Sequence, residues 1–151
     1  MNRQMLCVAF AAAMLALPRA GAAQDFRATV LAQLDTLARP VAQNGFRPEP
    51  AVFDRQAVVG ALAKGATSMM EVTLVGGVNY FIAAACDEDC SDLDLRIFAA
   101  NSTTAVAEDT ADDDAPMLNF KAPRSGRYML AVDMAECKES MCYYGYRVYR
   151  K

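Results

Sequence analysis

The cysteines are the residues whose spacing most directly limits the chemistry of this 151-residue chain. Cys7 lies in an apolar N-terminal segment, and the other four form two close pairs, Cys86 with Cys90 and Cys137 with Cys142. Neither spacing matches the C-x-x-C of redox centres or the usual zinc-ribbon pattern. Four cysteines allow three pairings, of which we favour two local disulfides, each closing a short loop between strands.

Two acidic runs, residues 87–94 and 108–114, form the second group that could do chemistry. Calcium takes about six to eight oxygen ligands, so converging acidic loops would supply a site, although neither run has the glycine and glutamate positions of an EF-hand. The alternative is solvated loops in which Asp92 or Asp94 turns inward to accept backbone N–H bonds. The candidate calcium ligands are Asp87, Asp89, Asp92, Asp94, Asp112, Asp113 and Asp114.

Several classes of function are disfavoured by composition. The chain contains no histidine, which removes Ser-His-Asp and Cys-His catalysis, histidine-ligated metals and a histidine pH switch. A carboxylate pair acting as general acid and base is the remaining catalytic option, and it requires a substrate cleft that no sequence feature shows. Lys plus Arg total 15 against 18 Asp plus Glu, a net charge of −3 that disfavours nucleic-acid binding.

The N-terminal segment predicts export. Residues 1–22 have a basic start at Arg3, an apolar run over Met5–Leu17, and small residues Ala20 and Ala22 at a cleavage site. The apolar run is shorter than the ~20 residues of a membrane-spanning helix. We therefore expect a signal peptide over 1–22, no membrane span after its cleavage, and a periplasmic or secreted protein in which disulfides persist.

The chain after the signal segment divides into two predicted regions, 23–64 and 65–151. In the first, apolar residues recur every three or four positions over 26–41 and predict an amphipathic helix, which Pro40 should end or kink near Ala38 or Arg39. This helix either covers one end or edge of the domain or binds a partner. Residues 47–50 predict an extended connector, whereas 53–63 fit a short helix or an edge strand.

The second region alternates apolar and polar residues and is rich in β-branched and aromatic side chains, which predicts strands. About seven short strands separated by turn sequences indicate a β-sandwich. Tyr143 and Tyr149 either pack in the fold or form an exposed aromatic stripe. The predicted strands are 68–75, 78–86, 93–98, 104–107, 117–121, 128–134 and 144–148.

A family resemblance covers about residues 66–150. It is carried by Tyr80, by Asp92–Phe98 (DLDLRIF), by the acidic run before Pro116, and by Ser125–Leu130 (SGRYML). This pattern resembles the bacterial pre-peptidase C-terminal (PPC) type of β-sandwich. The resemblance implies a mainly β fold, a jelly-roll-like antiparallel β-sandwich of about seven strands, here with an N-terminal amphipathic helix. It also implies a domain that assists secretion or binds surfaces, sometimes with calcium, and it transfers no catalytic residue.

The functional prediction is an exported, non-catalytic β-sandwich module that binds a protein, a glycan or the envelope surface. Its alternatives are a calcium-stabilised structural domain and a secreted hydrolase with a carboxylate pair. Calcium is the one cofactor that the residues indicate, and the expected partners are an envelope protein or glycan, with no nucleic acid.

Overall fold

The structure is a computed structural model that describes residues 21–49 and 57–151. Within these ranges the chain forms one helix and nine strands in two antiparallel sheets, which confirms the mainly β fold with an N-terminal helix. Most of the predicted signal segment, with Cys7, lies outside the described residues. The elements are α1 Gly21–Gln43, β1 Arg47–Pro48, β2 Val58–Leu62, β3 Thr67–Leu74, β4 Asn79–Cys86, β5 Cys90–Ala99, β6 Ala105–Asp109, β7 Met117–Lys121, β8 Gly126–Cys137 and β9 Cys142–Arg150.

The two sheets enclose one apolar core. Sheet A has the strand order β1-β9-β4-β7, and β2 pairs with the same edge of β9 as β1 does, nearer the start of β9. Sheet B has the order β3-β8-β5-β6. Strand alternation places one face of each sheet inside, so that Leu93, Leu95 and Ile97 of β5 are fully buried. Burial of these aliphatic and aromatic side chains is the main stabilising contribution to the sandwich.

Helix α1 covers part of the outer face of sheet A, over β9 and β4. Val30 and Leu34 pack on Ala85 of β4, and about two turns further on Val41 packs on Ala83 and Tyr149. The apolar stripe of the helix is therefore buried within the chain, on a sheet face and not on an end or edge of the sandwich. This packing stabilises a helix that would be marginal alone in water.

Pro40 does not end the helix at Ala38 or Arg39, because α1 continues to Gln43. A proline in the last turn lacks only one N–H donor, and packing of Val41 on sheet A favours the helical course. Asn44 closes the helix by donating its side-chain Nδ2 to the Pro40 carbonyl at 2.9 Å. Gly45 follows with a φ of 82°, the left-handed conformation that turns the chain away.

The segment before residue 65 contributes strands to sheet A. Arg47 and Pro48, expected to be an extended connector, form β1 against the end of β9, where proline is tolerated at a sheet edge. Of the undecided segment 53–63, residues 58–62 form the edge strand β2, and 53–56 lie outside the described residues. The sandwich thus includes residues on both sides of position 65.

Candidate functional site

Both cysteine pairs are disulfide-bonded locally, Cys86 to Cys90 and Cys137 to Cys142, each with a Cα–Cα distance of 5.9 Å. The two rings lie at the same end of the sandwich, because the Lys138 N–H donates to the Asp89 carbonyl oxygen at 2.9 Å. With all four sulfurs in disulfides, these cysteines offer no thiolate for nucleophilic attack or metal binding.

Asp87 joins the first ring to β9. Its side chain is buried, and its Oδ2 accepts the backbone N–H of Tyr143 at 2.7 Å, while the Asp87 N–H donates to the Tyr143 carbonyl oxygen at 2.9 Å. Such charge-assisted hydrogen bonds are among the stronger ones in proteins. This candidate calcium ligand is thus engaged in holding two strand ends together.

The two acidic runs meet through their backbones. Leu93 donates its N–H to the Asp113 carbonyl oxygen at 2.9 Å, and Cys86 donates to that of Asp114 at 3.2 Å. Two of their carboxylates have separate partners: Asp94 pairs with Arg96 at 2.9 Å, and Asp113 accepts the Ala115 N–H at 3.0 Å. Asp92 Oδ1 is buried without a hydrogen-bond partner among the described residues. Within residues 21–49 and 57–151, no three Cys, Asp or Glu side chains are grouped to hold a metal ion. The calcium site and the alternative of solvated acidic loops therefore both stay untested.

Two carboxyl groups of this region have perturbed acidity. Burial raises the pKa of Asp92, and repulsion from Asp94 and Asp112 adds to the rise. Burial also raises the pKa of Asp94, although the adjacent Arg96 guanidinium opposes the shift. A raised pKa suits a general acid, but neither Asp92 nor Asp94 lines the three surface concavities that lie along α1.

The largest of these concavities is an apolar groove between α1 and β7, which we call the α1–β7 groove, with a volume of about 560 Å³. It exists because α1 lies over β9 and β4 and leaves the outer face of β7 uncovered, where Met117 is 48% exposed. No carboxylate lines it. Its lining is Leu37, Pro40, Val41, Asn44, Phe46, Phe81, Met117, Asn119 and Lys151.

Two smaller concavities continue the α1–β7 groove at either end. One shares Leu37 with it and reaches Asp114, and the other shares Lys151 with it and reaches Arg47 and Arg150. The concave surface along α1 is therefore acidic at one end, apolar in the middle and basic at the other end. Sequence reasoning missed this surface, although the outward side of β7 could be read from its alternation.

Tyr143 and Tyr149 of β9 pack under the helix, whereas Tyr144 and Tyr146 face the core between the sheets. The ring of Tyr143 stacks on Phe26 of α1 with centroids 5.9 Å apart, and Tyr149 is 3% exposed beside Phe81. The exposed aromatic stripe considered from the sequence is thus wrong, and the packing alternative is right.

Within the described part of the chain, no helix has the length and apolar character needed to cross a membrane.

No family model matches the chain. No curated protein matches it either. Among solved structures, the pre-peptidase C-terminal domain of collagenase from Bacillus anthracis aligns with a TM-score of 0.50 and 18% identity, over 62% of this chain and 87% of that one. The periplasmic inhibitor of g-type lysozyme, PliG, from Aeromonas hydrophila aligns with a TM-score of 0.49 and 13% identity, over 64% of this chain and 85% of that one. The collagenase domain confirms the PPC-like resemblance at the level of fold.

Proposed function

We propose that this protein is an exported, non-catalytic β-sandwich module that binds a partner protein in the α1–β7 groove. The observation that carries the proposal is the groove itself, which has a volume of about 560 Å³, is lined mainly by apolar side chains and includes the half-exposed Met117. Contiguous apolar surface of this kind, with a polar rim, is characteristic of interaction sites.

A protein ligand fits this surface better than a glycan. Sugars stack on exposed aromatic faces, whereas the two aromatic rings of the α1–β7 groove, Phe46 and Phe81, are partly buried. The large exposed apolar side chains among the described residues are Met69, Val75, Val106, Met117 and Met141. Methionine is flexible and polarisable, and it adapts to protein surfaces of varied shape.

A binding role also fits better than hydrolysis by a carboxylate pair. The α1–β7 groove has no carboxylate in its lining, and Asp114 is the single one along the smaller concavities. A glycosidase-type mechanism needs two carboxyl groups that flank the bond to be cleaved. The fold of the collagenase domain is in keeping with a non-catalytic module.

Export is supported by two features of the chain. The N-terminal residues have the signal-peptide pattern, and the structure holds two disulfides, which persist in oxidising compartments. The module is therefore proposed to act in the periplasm or after secretion.

The test is capture of envelope proteins by the immobilised mature protein and by two variants, Met117→Lys and Met69→Lys. Both methionines are about half exposed, at 48% and 56%, but Met69 lies on β3 of the other sheet. A partner that docks in the α1–β7 groove would bury the charge of a lysine at position 117, which is costly. We therefore expect Met117→Lys, and not Met69→Lys, to lose a captured protein. Equal capture by all three proteins, or capture by none, would contradict the proposal.

A further inference from the structure

Strand β7 is an edge strand of sheet A beside the α1–β7 groove, and it also contacts β6 of sheet B. Among the described strands it pairs with β4 alone, with Ile82 opposite Leu118 and Tyr80 opposite Phe120. At the two ends of this ladder, Ala84 donates its N–H to the Pro116 carbonyl oxygen and Ala122 donates to that of Val78, each at 3.0 Å. The even-numbered residues of β7 therefore bond to β4.

The odd-numbered residues of β7 consequently direct their backbone groups away from the sheet, because bonding alternates along an antiparallel strand. The N–H of Met117 is taken by the Asp109 carboxylate at 2.9 Å. Beyond it, the N–H and carbonyl groups of Asn119 and Lys121 lie along the outer edge, and both residues are exposed. Such a row is a template for an added strand.

The charges along this edge define which peptide fits. Lys121 lies at one end of this edge, opposite Asn79 of β4, and Lys151 lies on the other side of Asn79 and lines the α1–β7 groove. Among the ion pairs of the described residues, neither lysine has a carboxylate partner. Lys151 instead donates to the Asn44 carbonyl oxygen at 2.9 Å and lies over the Phe46 ring. Asp114 lies at the opposite end. An acidic segment is attracted to the lysine end and repelled by the aspartate end.

We infer that β7 binds an extended segment of the partner protein as an added strand of sheet A. Every second side chain of that segment is apolar and lies beside Met117 and Asn119 in the α1–β7 groove, and an acidic residue meets Lys121 and Lys151. This inference rests on the proposed function and specifies its ligand. In strand addition, main-chain hydrogen bonds supply affinity and alternate side chains supply specificity.

The test begins with peptides selected from a displayed random library on the disulfide-bonded mature protein, whose affinities are measured by fluorescence anisotropy. Asn119→Pro removes one outward N–H and leaves the bonds to β4 intact, and proline is tolerated at such an edge position. Thr73→Pro is the matched control on the free edge of β3. The Met134 N–H donates to the Ala66 carbonyl oxygen, so the even-numbered residues of β3 bond to β8. The backbone N–H of Thr73 therefore also points away from the sheet.

We expect the selected peptides to alternate apolar residues and to carry an acidic end. Asn119→Pro should weaken their binding about tenfold, since it deletes one hydrogen bond and leaves a peptide carbonyl unpaired. Thr73→Pro should change it less than about twofold. Each selected peptide can be N-methylated at its odd-numbered or at its even-numbered residues, and only the set whose N–H groups face β7 should lose binding. This measurement tests strand addition even if Asn119→Pro does not fold.

Three results would overturn the inference: no peptide selected above background, unchanged affinity with the N-methylated peptides, or equal loss in both proline variants. If Met117→Lys abolishes capture but N-methylation leaves the peptide affinity unchanged, the α1–β7 groove remains the binding site and strand addition is excluded. If Met117→Lys leaves capture unchanged, the proposed function itself is excluded.

Discussion

Replacing Gly145 of β9 with alanine is expected to disturb the packing of α1 on sheet A. A Cβ at this position would lie 2.8 Å from Cγ1 of Val30 and 2.9 Å from the Val58 carbonyl oxygen, both shorter than ordinary van der Waals contacts. Val30 is fully buried, so it cannot swing into solvent. The helix or the edge strand β2 must therefore shift to accept one methyl group.

The magnitude follows from two opposing effects. Overpacking a tightly packed site costs about 1–3 kcal/mol, whereas replacing glycine reduces the entropy of the unfolded chain and returns about 0.4–1 kcal/mol. We expect a net destabilisation of about 1–2 kcal/mol, which for a domain of this length lowers the melting temperature by roughly 4–8 °C.

A double-mutant cycle with Val30→Ala isolates the helix contact. Val30→Ala removes Cγ1, so Gly145→Ala should cost about 1 kcal/mol less in that background, with a remainder from the Val58 oxygen. Free energies of unfolding from urea titration of the disulfide-bonded mature protein supply the four values. An equal cost in both backgrounds, or a more stable Gly145→Ala protein, would refute the account of how α1 packs on β9.

Three further predictions concern the disulfide and acidic loops. Peptide mapping without reduction should find no bond between the rings 86–90 and 137–142. Because burial raises the folded-state pKa of Asp92, its ionised form opposes folding. Asp92→Asn should therefore raise the melting temperature at pH 7, and this gain should disappear as the pH falls through the raised pKa to below the ordinary value of 3.8. Calcium at millimolar concentration, added to a chelated sample at constant ionic strength, should leave the melting temperature unchanged, because Asp87 and Asp94 already bind Tyr143 and Arg96. A rise of several degrees that Asp92→Ala abolishes would instead establish the calcium site.

The strands of the sandwich were predictable where local pattern and tertiary environment agree. Leu93, Leu95 and Ile97 alternate with polar residues, and a sheet with one buried face requires this period, so the alternation sufficed. In β2 all five residues are partly buried, so no alternation distinguishes a strand from a helix. Its pairing with β9 decides the conformation, and pairing between distant segments is not written in a local pattern.

The α1–β7 groove could not be derived from the sequence, because it depends on where one element lies over another. Leu37, Phe81 and Met117 come from a helix and two strands, and they share a surface because α1 covers only part of sheet A. Asp87 shows the same limit for the acidic residues. Its place in a charged loop indicated solvent or calcium, whereas the Cys86–Cys90 ring directs it to a backbone N–H of β9.

The shortness of the two disulfide rings has a consequence for the order of events in oxidative folding. Each cysteine lies only 4 or 5 residues from its partner. Closing a crosswise pair would require a loop roughly ten times longer, at an additional entropic cost of about 2 kcal/mol. A chain entering an oxidising compartment from its N-terminus can therefore join Cys86 to Cys90 before Cys137 has emerged. The local pairing is therefore favoured over a crosswise one before the sheets have assembled.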